Sequence, residues 1–509
     1  MKKVISAVKA SAAVEKDIYK TADTVNKENF PAWKLSEKEQ LNQLAMCGTL
    51  ANSFYATTKN LVDDAMELVK KADAKNLQEA IILGRNEGFI RSFNILGLVY
   101  LSQKDSNLFK DAFGKVVLTG NDLKDFIDTT NTVRGFGRSI KSAIHKWIGD
   151  KTTPFYALKY RREIADAIRV SRFQGEDPIY AFILKIYNVK NLDSAKVDKA
   201  YEKYGQLQAY EDVKKAVDAK EYDKAVKLVT DNKLDPTSLI SEYDKFTGKV
   251  WDSVAQQMGV MLFLKYLNKL TREGVFERTG DKLYKEKLKV ENLKKAKVFP
   301  FRLFIAHQHI EGNVKLKNHL ADVLDDYVTK YDWEEWNKQS WAVCPDVSGS
   351  MTNAVQGSDM TPSVVAGMFS GFFYKGLDDC TLIPWDDSIH VDSIKPKRDS
   401  IISHINSIAH AHGGGTNMEL PVQYMIQNKI KVDNAIFITD SMEWGEGWVP
   451  YWKEYRKKVN PKARAFLLRV DAYNSKPFSD KLAKDLDIYQ LYGWNDNVLK
   501  FMEFIVKHK

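Results

Sequence analysis

The sequence predicts a multidomain chain: an α-helical repeat region over residues 1–337, followed by a mostly parallel, doubly wound α/β domain over residues 338–509. Three observations carry this. The chain has 509 residues, more than one ordinary core organises. Apolar residues recur at three and four from Ser36 to Lys330, as in Leu61, Ala65, Leu68, Val69 and Ala72. After Trp333-Glu334-Glu335-Trp336, short apolar runs alternate with helical stretches, the pattern of βαβ units.

Helix starts recur along the first region. Ser36 with Glu39 and Asn76 with Glu79 resemble capping boxes. Asp177-Pro178 and Asp235-Pro236 each set a cap residue before a proline at the first helical position. A long run of antiparallel helices stacks as a solenoid of helix pairs. In the second region, strands are expected at 341–345, 380–385, 435–439 and 465–470, with helices at 362–374 and 417–426 between them.

Composition excludes other classes. With 44% hydrophobic and 28% charged residues, and only 27 Gly and 13 Pro, the chain is neither disordered nor fibrous. No apolar run reaches the roughly 18 residues that span a bilayer. Met1-Lys2-Lys3-Val4 opens a mixed polar segment with no signal-peptide core. A cytoplasmic location is expected, or a nuclear one in a eukaryote, with no membrane contact. Cys47, Cys344 and Cys380 are far apart and form no CxxC pair, so they read as thiols in a reducing compartment.

The net charge is +9 and it is localised. Residues 340–509 hold 19 Lys and Arg against 20 Asp and Glu, so the first 339 residues carry the whole excess. Residues 131–172 alone have 10 Lys and Arg, opposed by Asp150, Glu163 and Asp166. Arg134, Arg138, Lys141 and His145 fall on one helical face, with Phe136, Ile140, Ile144 and Trp147 on the other. Lys159, Arg162, Arg169 and Arg172 share a second face, opposed by Ile164 and Ile168, and Arg161 adjoins them. Such faces follow a phosphate backbone with salt-dependent affinity and little sequence preference. A solvated charged face is the plainer alternative.

A second constellation lies in the α/β region. Its first strand ends in Asp346-Val347-Ser348-Gly349-Ser350, a DxSxS motif. Gly413-Gly414-Gly415-Thr416 and Thr439-Asp440-Ser441 follow in order. In a doubly wound sheet the loops at the carboxyl ends of strands form the ligand crevice. Asp346, Ser348, Ser350, Thr416 and Asp440 would converge there as an oxygen-only set. That set suits a hard cation, Mg²⁺ first, with Mn²⁺ or Ca²⁺ as substitutes. Ser348 and Ser350 would bind it directly and Thr416 directly or through water, with Asp346 and Asp440 holding waters. The alternative is a serine-rich turn with an ordinary capping role.

These three motifs resemble, in type, order and spacing, the metal-ion-dependent adhesion site of von Willebrand factor A domains. Other segments resemble the Ro autoantigen, or TROVE, family. They are Gly135-Phe136-Gly137-Arg138 through Trp147, the stretch from Val250-Trp251 to Leu270-Thr271, and Leu293-Lys294-Lys295-Ala296 followed by Phe299-Pro300-Phe301. The likeness runs from about residue 33 to the end. It implies a monomeric, closed ring of HEAT-like helix pairs whose ends are held by the A domain. It also implies binding of small noncoding Y-type RNAs on the outer surface and of misfolded RNA ends in the central hole, as in RNA quality control. One departure stands out: the family's Gly-Trp-Ser-His-Lys-Asp stretch is missing between Arg161-Arg162-Glu163 and Asp166, and Arg172 replaces a further histidine.

Noncoding RNA is thus the expected partner, together with a protein offering an acidic group to the metal and an exoribonuclease. No enzymatic activity is expected, because GxxxxGK[ST], HExxH and GxSxG are all missing. The competing reading is a metal-dependent scaffold that captures an acidic partner protein.

Overall fold

The computed structural model describes residues 22–25, 31–47, 58–88, 90–187, 193–296, 298, 300–352, 361–410, 413–440, 448–470, 475–492 and 496–508. They pack as two compact units. One covers 95–323; the other joins the described residues up to 94 with those from 324 onward. The boundary expected at 337/338 marks the change from helices to alternating strands and helices, whereas the packing units divide the chain at 94/95 and 323/324.

The 95–323 unit is helical among its described residues. Its helices begin where polar side chains satisfy the first backbone N–H groups. Asp105 accepts from Asn107 N and Leu108 N. Thr119 and Asp122 form a reciprocal capping box, and Thr153 caps a helix with Pro154 at its first turn. Asp235 caps as expected, but the segment it opens, Pro236–Lys245, is a 3₁₀ helix. The helix Gly120–Val133 and the helix Arg138–Lys151 both pack on Arg161–Ser171. Their buried faces carry Leu123, Phe126, Ile140, Ile144, Trp147, Ile164 and Ile168. Each such side chain contributes about 1.5–3 kcal/mol on leaving water.

In the other unit Ser36 and Glu39 form the expected capping box. Asn76 does not act as a cap: the helix Ala74–Asn86 starts three residues earlier than its sequence suggests, because the Asp73 carboxylate already accepts from Lys75 N and Asn76 N. The α/β part is a five-stranded parallel sheet. In chain order its strands are β3 (Trp341–Pro345), β4 (Cys380–Leu382), β5 (Asn434–Thr439), β6 (Arg464–Arg469) and β8 (Ile488–Tyr492), arranged β4-β3-β5-β6-β8. The outer strand β8 was not expected, and β4 is shorter than the expected 380–385. The chain beyond β4 leaves the ladder for an isolated bridge between Asp346 and Trp385.

Because strand side chains alternate between faces, Ala342, Cys344, Ala435, Phe437, Ala465 and Leu467 meet Trp448, Trp452 and Tyr455 on one side. Trp341 turns to the other side, stacking on Phe373 and on Phe466. With both faces covered, the central strands are wholly buried.

A second, antiparallel sheet of order β1-β2-β7 unites Thr24–Val25, Pro31–Lys34 and Ser475–Lys476. Trp33 pairs with Lys476, so the amino-terminal chain is laced to the carboxy-terminal part of the same unit. Lys476, almost buried, is clamped by Glu39 at 2.5 Å and Asp480 at 2.7 Å. Burial opposes its charge, but these two partners prevail and raise its pKa.

Candidate cation site and basic surface

The DxSxS loop follows β3, and β5 runs directly beside β3, so Asp346 and Thr439 meet at the carboxyl end of the sheet. Asp346 is fully buried. Its Oδ1 accepts from Ser348 N at 2.8 Å and its Oδ2 from the Thr439 hydroxyl at 2.6 Å. Burial nonetheless dominates and pushes its pKa up to about 6, aided by the charge of Asp386. Ser348 and Ser350 place their hydroxyl oxygens 3.2 Å apart, both buried. Two neighbouring ligands of an octahedral Mg²⁺ at about 2.1 Å would stand about 3 Å apart.

The glycine-rich loop is tied to this turn by Gly349 N donating to Gly414 O at 3.0 Å and Gly413 N to Val347 O at 3.3 Å. Gly413 has φ +82°, a left-handed conformation suited to glycine. Thr416 and Asp440 are buried beside these loops. The structure thus brings the DxSxS loop, the glycine-rich loop and the end of β5 to one end of the sheet. Ser441 lies outside the described residues.

Sequence reasoning missed Asp386 and Asp387, which follow the 380–385 run. Asp386 is buried; its Oδ2 accepts from Gly414 N at 3.3 Å, and its Oδ1 lies 2.7 Å from His390 Nε2. Asp387 accepts from Gly415 N at 3.5 Å, and that bond leads in holding its pKa below the ordinary value. A Cβ on Gly414 would stand 2.8 Å from both carboxylates, so a larger residue there would have to push the two aspartates aside. Their position after a sheet strand was the signal that would have found them.

The donor chemistry fits a hard cation. Among the described residues no cluster of three or more His, Cys, Asp or Glu side chains forms a metal cage. The donors are hydroxyls backed by few charges, and the buried, proton-hungry Asp346 is a group that a divalent ion would relieve.

On the helical unit, the nine residues expected to meet RNA do not form one surface. The chain turns at Gly135, φ +77°, so Arg134 ends one helix and Arg138 starts the next. The common face expected for them is therefore corrected. Arg134 instead donates to Ser102 O at 2.6 Å and Ser102 Oγ at 2.8 Å. His145 Nε2 lies 3.0 Å from Ser171 O, bracing its helix against the next. Arg161 donates to Phe182 O at 2.6 Å with its guanidinium 3.9 Å over the Phe182 ring, and burial lowers its pKa. These three have internal partners.

Arg138, Arg162, Arg169 and Arg172 are exposed and Lys141 half-exposed. Arg169 lies 4.6 Å over the Tyr187 ring. Lys159 is flanked by the Phe155 and Tyr160 rings. Burial lowers its pKa; Asp235 opposes the shift and Lys265 adds to it.

Two family models match the chain in tandem, the TROVE domain over residues 241–345 and the Ro60 vWA domain over 341–506. Among curated proteins, the RNA-binding protein RO60 of Deinococcus radiodurans is 23% identical over 444 residues, which is 81% of this chain and 82% of that protein. Among solved structures, the crystal structure of the Deinococcus radiodurans RO (RSR) protein matches with a TM-score of 0.63 over 93% of this chain and 99% of that one. At 18% identity that is a likeness of fold. A helical region leading into a parallel-sheet domain, with both family models in the right order and together spanning over half its length, places the chain in the Ro family.

Proposed function

We propose that this protein binds RNA, as the printed name of its Deinococcus relative says of that protein. The observation that carries the reading is the set of exposed arginines, Arg138, Arg162 and Arg169 on two helices packed side by side and Arg172 at the end of the second, in a strongly basic stretch of the chain. Long cationic side chains on a rigid helical frame bind phosphates as point charges and release counterions. They position a strand without reading its bases. Small noncoding RNA and the ends of misfolded RNA are the ligands this surface is assigned. The role is that of a binding protein, not a catalyst.

The test is RNA binding across a salt series. Replacing Arg138 and Lys141 together by Ala should weaken every RNA similarly, lowering the slope of log affinity against log salt by about 0.7–0.9 per lost contact. Unchanged affinity and slope would make the stripe a solvated face. Asp440→Ala, in the other compact unit, should leave RNA binding intact.

The oxygen cluster supports a second assignment, a Mg²⁺ site. Ser348, Ser350 and Thr416 would hold the ion, with Asp346 and Asp440 balancing its charge. When bound, the ion supplies a fixed positive charge with room for an anionic group. An acidic residue of a partner protein, such as an exoribonuclease, would complete it. No described helix is long and apolar enough to cross a membrane, and Cys344 and Cys380 are free thiols. Both accord with the cytoplasmic location that the reading carries.

A further inference from the structure

The five-stranded sheet has an open edge. β8 is its outer strand, and among the described strands it pairs with β6 alone. Ala465 N donates to the Asp487 carbonyl, and in this parallel register the main-chain groups of Tyr489 and Leu491 turn toward β6 while those of Ile488 and Gln490 turn outward. Among the described residues no hydrogen bond satisfies these outward N–H and C=O groups. A groove of about 370 Å³ follows the edge, lined by Ile488, Gln490 and Leu491 together with Ala483, Asp480 and Phe501. An unpaired strand edge beside a preformed groove is a template for a further strand.

The walls of the groove differ because strand residues alternate between the two faces of the sheet. Ile488 belongs to the core around Trp448 and Trp452, and the helix Asp480–Asp485 packs against β8 on that side. Tyr489 stacks on Phe466 on the opposite face, where Arg464 reaches the Ile505 carbonyl of the helix Asp496–His508. The first wall is acidic: Glu39, Asp480 and Asp487 stand there against one ammonium, Lys484. Lys476 and Arg456, both largely buried, each hold one aspartate oxygen, Asp480 Oδ1 and Asp487 Oδ2. The second oxygens of these two aspartates have no hydrogen-bond partner among the described residues, and Asp480 is 81% exposed. The second wall is apolar, with Phe501 exposed on the groove and Phe504 exposed one turn along the same helix. A strand laid on β8 would turn alternate side chains to these two walls. Nucleic acid does not suit the site, because its phosphates would meet the carboxylates.

We propose that β8 receives an extended segment of a partner protein in which basic and apolar residues alternate, added to the sheet as a sixth strand. Its main chain bonds to Ile488 and Gln490, its basic side chains meet Asp480 and Asp487, and its apolar side chains pack on Leu491 and Phe501. The site lies on the outermost strand, two places from β5, and so is distinct from the candidate cation site. It does not depend on the RNA-binding reading.

The experiment measures fluorescence anisotropy of the full chain with a short labelled peptide of alternating Lys and Val. Alternation fixes which side chains meet which wall, so the amides of only one residue type face β8. N-methylation of either all the lysine or all the valine amides should therefore weaken binding about tenfold or more, and methylation of the other set should not. A peptide of alternating Glu and Val should not bind. On the protein, Gln490→Pro removes an outward N–H at a position where an edge strand tolerates proline, and Phe501→Ser removes the apolar wall. Each should weaken the Lys peptide about tenfold with the melting temperature near the parent's. The methylated peptides test the strand edge on the unaltered protein, should Gln490→Pro fail to fold. Equal binding of both methylated forms and the unmethylated peptide would overturn strand addition, and equal binding of the Glu peptide would overturn the acidic wall as its selector. Absence of binding by the Lys peptide would overturn the proposal outright. Self-association of the chain in sedimentation, abolished by Gln490→Pro, would then make a second copy the occupant.

Discussion

Asp346→Asn should stabilise the metal-free protein near neutral pH while removing its response to Mg²⁺. Burial moves the Asp346 pKa from 3.8 to about 6. Two units correspond to at most about 3 kcal/mol by which the ionised carboxylate disfavours the folded state. The sign follows from linkage. The folded state holds the extra proton between about pH 4 and 6, so the contribution of this group to stability falls as pH rises through that window. Asparagine cannot ionise and avoids the loss. It keeps one oxygen for Ser348 N or the Thr439 hydroxyl, and each of the two bonds, falling from charge-assisted to neutral strength, loses about 1 kcal/mol. The net gain is therefore about 1 kcal/mol, or roughly 2–4 °C in a unit of this size. The assay is calorimetric melting of parent and variant from about pH 4 to 8, with and without Mg²⁺. The parent should melt higher with Mg²⁺ at neutral pH, as a ligand of the folded state requires, and the variant should not. If the variant melts lower than the parent at every pH, or both respond equally to Mg²⁺, Asp346 is a structural hydrogen-bond acceptor and the cation assignment falls.

Arg161→Ala should destabilise the helical unit without changing the salt slope of RNA binding, whereas Arg169→Ala should lower that slope by about 0.7–0.9. Melting and anisotropy on the same two variants separate the roles. Lys476→Met leaves Glu39 and Asp480 facing each other without their cation, at a cost of about 1–3 kcal/mol, less than a fully buried pair because Asp480 is exposed. Hydrogen exchange should report earlier opening at Pro31–Lys34. In the parent the Glu39 pKa is held below its ordinary value, burial opposing and the Lys476 hydrogen bond leading the partners that prevail, so this contribution is present above the unfolded pKa near 4.5 and lost as pH falls through the lowered one. Gly414→Ala should push the glycine-rich loop off Asp386 and Asp387 and weaken Mn²⁺ binding, read by titration calorimetry, with the sheet still folded.

What could be read from the sequence depended on the range over which its cause acts. The strands β3, β5 and β6 announced themselves because a strand covered on both faces must be continuously apolar. Pro31–Lys34 carries no such pattern. Its residues Trp33 and Lys34 are laddered because Ser475–Lys476 comes alongside, and the associated Glu39–Lys476 pair spans 437 positions of sequence. No local signal encodes a partner so far away. The helical caps divided likewise. The Ser36–Glu39 box is set by its own residues, while Asn76 lost its role because Asp73 reached the same N–H groups first.

The two candidate surfaces differ for the same reason. The candidate cation cluster draws on short motifs at strand ends, and the sheet topology brings their loops to one end of the sheet. Asp386 follows a strand, which marks it as a candidate, but only the fold shows its carboxylate accepting from Gly414 N. The basic surface is a property of tertiary packing. Helical spacing groups Arg134 with Arg138 only if one helix runs through both, and Gly135 turns the chain between them. Arg161 and Arg162 are neighbours of identical chemistry, yet one reaches inward to the Phe182 carbonyl and ring while the other faces water. Charge counting finds where a polyanion would bind, but only the fold says which cations are available to it. The strongest test of the RNA reading is therefore the contrast between Arg161 and its exposed neighbours, since a diffuse electrostatic effect would weaken binding equally whichever arginine was removed.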